Sequence, residues 1–315
     1  MELDYEYAGE IISMNRRLLL ILNPASGKGA AANSLFSMVN GFSHTGWEVT
    51  VLPTQAKGDA EKIAQERAGE FPFLVCSGGD GTLNETVNGL MKCENRPLLG
   101  YIPAGTANDF AATLGIPHNP EEAALKIGDG RPFCYDVGDL NGKYFNYIAA
   151  FGIFTEVSYS TPQQFKNVCG RVAYFLEGMK QLSSIRHYPL KVEWENGSVE
   201  GDFIFGAVMN TMSVGGAQTH FVDGVELNDG LFEILLIRNP KNFFELQTIV
   251  TLLFKQELNP KYFTFLRTSS LRITSDTEVT WTVDGEYGGT FCNAEIRNHP
   301  RAICISLPKE SEKVD

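Results

Sequence analysis

The stretch Phe73-Leu-Val-Cys-Ser-Gly-Gly-Asp-Gly-Thr-Leu-Asn-Glu-Thr-Val-Asn-Gly-Leu90 constrains this chain more than any other. Its apolar run, Phe73 to Cys76, shows no alternation and reads as a buried parallel strand. The run ends in Gly78-Gly79-Asp80-Gly81, after which Thr82 opens an amphipathic helix with Leu83, Val87 and Leu90 on one face. Strand, glycine turn and helix N-terminus together make an anion site, because glycines let backbone approach an oxygen-rich ligand and the first helical N–H groups point at it. Asp80 is the odd member. As a capping residue in a tight turn it needs no ligand; in a phosphate cradle a carboxylate repels its guest unless it holds a metal or takes a proton.

Two more strand ends follow the same plan. Leu18–Leu22 runs into Asn23-Pro24-Ala25-Ser26-Gly27-Lys28-Gly29, and Leu98–Ile102 runs into Pro103-Ala104-Gly105-Thr106-Ala107-Asn108-Asp109-Phe110. The first is not the loop of P-loop NTPases, since Leu22 stands where its first glycine belongs and Gly29 replaces its Ser/Thr. Three such turns at successive strand ends fall on the carboxyl edge of one parallel sheet, where open α/β sheets bind ligands.

The wider organisation agrees. Before about residue 135, strands (18–22, 47–52, 73–76, 98–102) alternate with helices (30–40, 59–67, 82–93, 108–114, 121–127), a doubly wound α/β pattern. Beyond it, Asn141-Gly142, Asn196-Gly197 and Asn228-Asp229-Gly230 are turn chemistry between β-branched and aromatic runs, with helices near 163–183 and 241–256. The expected fold is therefore α/β: an N-terminal doubly wound nucleotide-binding domain and a C-terminal β-rich, antiparallel sandwich-like domain, with the cleft between them as the active site. The expected divisions are a tail over 1–13, the α/β domain over 14–134, the β-rich domain over 135–298, and a terminal strand and tail over 299–315 that returns to the first domain.

Composition removes several classes. A net charge of −12 argues against nucleic acid and against tight docking on anionic lipid. No apolar run reaches the roughly 18 residues of a membrane span, and the acidic start Met1-Glu-Leu-Asp argues against an export signal. The six cysteines are widely spaced with no Cys-x-x-Cys pair, so they read as reduced thiols of a cytoplasmic protein.

Two later segments carry carboxylates on turns. In Val225-Glu226-Leu227-Asn228-Asp229-Gly230-Leu231, the Asn-Asp-Gly step serves either as a hairpin turn or as an oxygen-ligand site for a hard ion. In Trp281-Thr-Val-Asp-Gly-Glu-Tyr287, a strand delivers Asp284 and Glu286 to a turn, either a solvated tip or the carboxylate base an alcohol needs when it attacks a phosphoryl group.

Asn23-Pro-Ala-Ser-Gly27, Gly78-Gly-Asp-Gly-Thr82, Gly105-Thr-Ala-Asn-Asp-Phe-Ala111 and Asp284-Gly-Glu286, in that order, resemble the catalytic domain of bacterial diacylglycerol kinase-type lipid kinases over nearly the whole chain. The Gly-Gly-Asp-Gly turn is shared with NAD kinases, which are the runner-up reading. A catalytically silent nucleotide-binding regulator is the third. The resemblance implies an ATP- and Mg²⁺-dependent kinase acting on a hydroxyl of diacylglycerol or a related lipid. It makes Glu286 the candidate base, with Asp284 in support and Asp80 at the catalytic Mg²⁺ or itself taking the proton. Nucleotide contacts fall on Asn23, Ser26, Thr54, Gly79, Asp80, Gly81, Thr82, Leu83, Asn84, Glu85 and Thr106, and a structural Mg²⁺ on the Asp229 carboxylate with the carbonyls of Glu226 and Leu231. The lipid partner implies transient contact at the cytoplasmic membrane surface, for which the basic, aromatic segment 163–191 is the candidate, unless that segment is simply a core helix. A homodimer is compatible with all of this.

Overall fold

A computed structural model describes residues 16–106, 108–153, 185–210, 213–214, 217–218 and 226–309. The 1–13 tail, the helix expected near 163–183 and most of the basic segment 163–191 lie outside these residues. The chain divides into two compact units, one formed by Met1–Val137 with Pro300–Asp315, the other by Gly138–His299.

Unit 1 alternates strands and helices: β1 (Arg17–Leu22), α1 (Ala30–Asn33), α2 (Leu35–His44), β2 (Glu48–Pro53), α3 (Asp59–Arg67), β3 (Phe73–Gly78), α4 (Asp80–Leu90), β4 (Leu98–Pro103), α5 (Asp109–Thr113), α6 (Pro120–Gly128) and β5 (Arg131–Leu140), which ends in unit 2. The order β4-β3-β1-β2 is wholly parallel, with Leu18 beside Phe73 and Val49, and Leu74 beside Leu99. All six residues of β3 and the last five of β1 are buried, as strands covered on both faces require. The expected helix over 30–40 is two elements broken at Ser34. Helix α4 starts at Asp80, two residues earlier than the apolar pattern suggests, because the carbonyl of extended Gly79 accepts the N–H groups of Thr82 (3.0 Å) and Leu83 (3.1 Å).

The last strand of the chain, β15 (Glu286–Leu307), begins in unit 2 and ends in unit 1, where Ile305 pairs in parallel with Leu99 of β4. Within unit 1 it corrects one expectation. Cys134 and Cys304 are joined as a disulfide across 170 residues, because β5 and β15 are neighbouring strands. Wide sequence spacing carries no information about that adjacency. Cys76, Cys93 and Cys292 are free thiols, and burial pushes that of Cys76 up to about 12.

Unit 2 is antiparallel. Its elements are β6 (Lys143–Phe145), β7 (Ile148–Gly152), β8 (Tyr188–Trp194), β9 (Gly197–Met209), the two-residue strands β10 (Ser213–Val214) and β11 (Ala217–Gln218), β12 (Phe232–Arg238), α7 (Phe243–Lys255), β13 (Phe263–Thr268), β14 (Ser270–Val283) and the first part of β15. β7 and β8 fill the same gap between β9 and β14, β7 against Phe205–Met209 and Trp281–Val283, β8 against Gly197–Phe203 and Leu271–Ser275. One core centres on Trp281, which meets Phe151 edge-on at 4.9 Å, with Phe145, Phe203 and Phe232 around them. A second core, with Ile204, Leu235, Ile237 and Phe263, is roofed by α7. Of the expected turns, Asn141-Gly142 is a two-residue hairpin loop with φ of 50° and 86°, whereas Gly197 pairs with Trp194 inside the ladder and the loop there is Glu195-Asn196.

Candidate active site

Unit 1 stacks its three glycine turns against one another. The Asn23 N–H donates to the Ser77 carbonyl at 2.9 Å, and the Ala104 N–H to the Gly78 carbonyl at 2.7 Å, so each turn is tied to β3. The Asn23 side chain donates to Thr82 Oγ1 at 2.9 Å, which fixes the first turn to the first helical turn of α4. A Cβ on Gly105 would lie 2.6 Å from the Cα of Gly79, and one on Gly27 would run into the Ala104 carbonyl. The glycines are required because backbone meets backbone here, which leaves main-chain groups and the α4 N-terminus to face a ligand.

Each nucleotide-site residue of the sequence reading has a definite place. Asp80, Gly81 and Thr82 form the first turn of α4, with Asp80 half-buried. Leu83 is buried apolar core, so only its main chain could serve, and its N–H is already held by Gly79. Asn84 is buried and accepts from Asn88 Nδ2. Glu85 gives its carboxylate to the Gly58 N–H at 2.9 Å and so anchors the loop after β2. Thr54 is buried at the end of β2, its N–H on the Leu22 carbonyl at 2.9 Å. The Ser26 N–H closes a turn onto the Asn23 carbonyl at 3.2 Å, and Thr106 is exposed. The sequence reading did not single out Asn108, which shapes the third turn. In the left-handed region at φ 53°, it accepts the Gly105 N–H (2.9 Å) and donates to the Gly105 carbonyl (3.0 Å). An asparagine directly before a helix is the signal that could have found it.

In unit 2, Asp284-Gly285 is a two-residue hairpin loop with both φ positive (47° and 81°), flanked by the pair Val283 and Glu286. The tip is not solvated on both sides. Asp284 is 4% exposed, and its carboxylate accepts four N–H groups: Asn146 main chain (2.7 Å) and side chain (3.1 Å), Tyr147 (3.0 Å) and Ile148 (3.1 Å). The Asp284 N–H returns to the Ile148 carbonyl at 2.9 Å. The carboxylate thus clamps the start of β7 onto the hairpin, while half-buried Glu286 opens β15. Asn146, the side-chain donor of this clamp, is the other residue that sequence reasoning passed over.

The turn before β12 holds the second carboxylate site. Asp229 Oδ1 accepts the Leu231 N–H at 2.9 Å, and Oδ2 takes the Arg267 guanidinium at 2.6 Å. Arg267 also meets Glu233 Oε1 at 2.9 Å; the two sit opposite each other in the β12–β13 ladder. Burial pushes Glu233 up to about 7 in spite of that cation. Among the described residues no three His, Cys, Asp or Glu side chains cluster as a metal site. One carboxylate with main-chain carbonyls suits a hard ion by ligand type, but Arg267 already supplies positive charge to it.

A parallel sheet whose strand ends carry three apposed glycine turns, joined in one chain to an antiparallel β-rich unit, defines a two-unit α/β protein of the class that binds ligands at its strand ends. The model of the diacylglycerol kinase catalytic domain matches residues 17–140. Diacylglycerol kinase of Bacillus subtilis (strain 168) is 36% identical over 309 residues, covering 95% of this chain and 99% of that protein. That of Staphylococcus aureus (strain JH9) is 34% identical over 94% of each. The crystal structure of a diacylglycerol kinase from Bacillus anthracis str. Sterne aligns with a TM-score of 0.73 and 25% identity over 93% of this chain and 97% of that one. Another structure from that strain aligns with a TM-score of 0.79 and 28% identity, again over 93% and 97%. The chain belongs to the diacylglycerol kinase family, and it is a lipid kinase.

Proposed function

We propose that this kinase transfers the γ-phosphoryl group of ATP, with Mg²⁺, to a hydroxyl of diacylglycerol or a closely related lipid. The apposition of the three turns at 23–29, 78–82 and 104–108 carries this reading, since it makes a main-chain cradle of the kind phosphates take. Asp80 at the head of α4 would hold a Mg²⁺ bound with the nucleotide, and that ion would supply charge neutralisation for the transferring group. Asn23, Thr82 and Thr106 orient phosphate oxygens, while Thr54 and Glu85 keep the loop after β2 in place.

Glu286 accepts the proton of the lipid hydroxyl, and Asp284 acts through it. A carboxylate that already accepts four N–H groups is spent on holding the hairpin and is unsuited to moving a proton. A structural Mg²⁺ at Asp229, Glu226 and Leu231 requires the Arg267 guanidinium to give up Oδ2. The reaction belongs to the cytoplasm, where ATP is, at the membrane surface where the acceptor lies. No helix among the described residues is long and apolar enough to cross a membrane.

The test is a screen of purified protein with labelled ATP and Mg²⁺ against diacylglycerol, sphingoid bases, polyprenols and glycolipids in detergent micelles, with NAD as a separate arm. Label in one lipid class supports the reading. Label in NAD and in no lipid would overturn it.

A further inference from the structure

Helix α7 is an element of unit 2 that the catalytic reading leaves unused, and its outer face is unusual for a water-facing helix of an acidic protein. On the inner face Leu246 and Ile249 belong to the second core, and Val250 is buried beside them in the sequence. Phe243 and Phe244 stand outward on its first turn, Phe244 at 78% exposed, followed along that face by Gln247, Thr248 and Thr251.

That first turn is firmly built. Asn242 Oδ1 accepts the Glu245 N–H at 3.0 Å, and Glu245 Oε2 accepts the Lys241 N–H at 2.8 Å, so the two phenyl groups ride on an ordered end. The threonines spend their donors inside the helix. Thr248 Oγ1 donates to the Phe244 carbonyl and Thr251 Oγ1 to the Gln247 carbonyl, both at 2.8 Å. A hydroxyl bonded back to the preceding turn needs no water as acceptor. Between Lys241 and Lys255 the sole charge is Glu245, whose side chain is 18% exposed and tied to Lys261 at 3.0 Å. Lys241, Lys255 and Lys261 stand exposed at the ends of the helix, with Glu257 the exposed acid beyond it.

We propose that the outer face of α7, led by Phe243 and Phe244, is the surface by which the protein docks on an anionic bilayer. Phenyl groups and back-bonded threonines suit the boundary of headgroups and acyl chains, and lysines at the rim reach the lipid phosphates. A net charge of −12 makes such a surface repel the chain as a whole, so a local cationic rim favours the orientation that turns α7 toward it. A second copy fits the face less well. Two α7 helices packed antiparallel about a two-fold axis bring Lys241 of each against Lys255 of the other, like charge on like. The inference rests on the lipid-kinase reading only in that the acceptor resides in a bilayer.

The experiment is co-sedimentation with vesicles of phosphatidylcholine and phosphatidylglycerol, without ATP, for wild type, Phe244→Ser and Lys241→Gln/Lys255→Gln. Wild type should bind. The bound fraction should fall about tenfold for Phe244→Ser on all vesicles, and for the lysine variant only where phosphatidylglycerol is present. Phosphorylation of micelle-dispersed lipid by Phe244→Ser should stay within about twofold of wild type, which separates lost docking from lost chemistry. Equal binding by wild type and Phe244→Ser would overturn the proposal, as would no binding by wild type. So would a wild-type dimer in sedimentation velocity that Phe244→Ser dissolves, since the face would then be a contact between copies. Intact docking with no lipid phosphorylated would instead count against the kinase reading alone.

Discussion

The turn at Asp80 and the turn at Asp284 both set an acidic residue beside glycine at the end of a strand, yet they are held by opposite means. The first is shaped by missing side chains: Gly79 and Gly105 let two main chains meet, and the carboxylate of Asp80 is a guest at the head of a helix. The second is shaped by a side chain, since Asp284 gathers four N–H donors and is the knot of its own turn. The same residue type is therefore the knot of one turn, while in the other the glycines shape the backbone and the carboxylate is the one proposed for chemistry. Catalytic assignments made from Asp-Gly motifs need that distinction.

Mutation should break the comparison most visibly at Asp284. Asp284→Ala leaves four donors unsatisfied in a buried site, and we expect a loss of about 3 kcal/mol or more in urea unfolding, with turnover lost as the hairpin loosens. Unchanged unfolding would show that the clamp carries no stability. Gly105→Ala sharpens the other side. Its Cβ would sit 2.6 Å from the Cα of Gly79 and 2.8 Å from Asn108 Oδ1, so the turns must part. The expected result is a loss of roughly 1–3 kcal/mol, with the KM for ATP raised about tenfold and kcat changed less. A kcat effect without a KM effect would remove the turns from nucleotide binding.

Smaller effects follow at the edges of each unit. Mg²⁺ alone should raise the melting temperature by a few degrees, about what 1 kcal/mol of preferential binding produces, and Asp229→Ala should abolish the rise. A rise that survives the substitution places the ion elsewhere. Smallest of all, the Cys76 thiol, raised to about 12 by burial in β3, should resist alkylation in the native protein at pH 8, while exposed Cys292 reacts. Peptide mass mapping reads both, and rapid labelling of Cys76 would mean that β3 opens readily.

What the sequence showed and what it hid follow from range. The parallel strands, the glycine turns and the Asp-Gly hairpin rest on apolar runs and φ-positive residues a few positions apart, so their pattern is local and readable. The partners of Asp284 lie 136 to 138 residues away, Arg267 is 38 residues from Asp229, and Cys304 is 170 from Cys134. No local pattern encodes those meetings. The sequence therefore showed Asp284 beside Glu286 and Glu85 beside the glycine turn, but not the main-chain groups that each of the two carboxylates holds. The doubly wound first half and the antiparallel second half were legible for the same reason as the turns, since alternating strand and helix runs differ visibly from hairpin spacing.

The central claim is the division of labour between Glu286, which takes the proton, and Asp284, which holds the turn. Single-turnover phosphorylation of micellar diacylglycerol by Glu286→Gln, with ATP affinity and urea stability measured on the same samples, tests it most directly. The account predicts a rate lowered by about 10²-fold or more, with ATP affinity and stability close to wild type. A rate near wild type, or a loss that merely tracks weakened ATP binding or a destabilised fold, would contradict it.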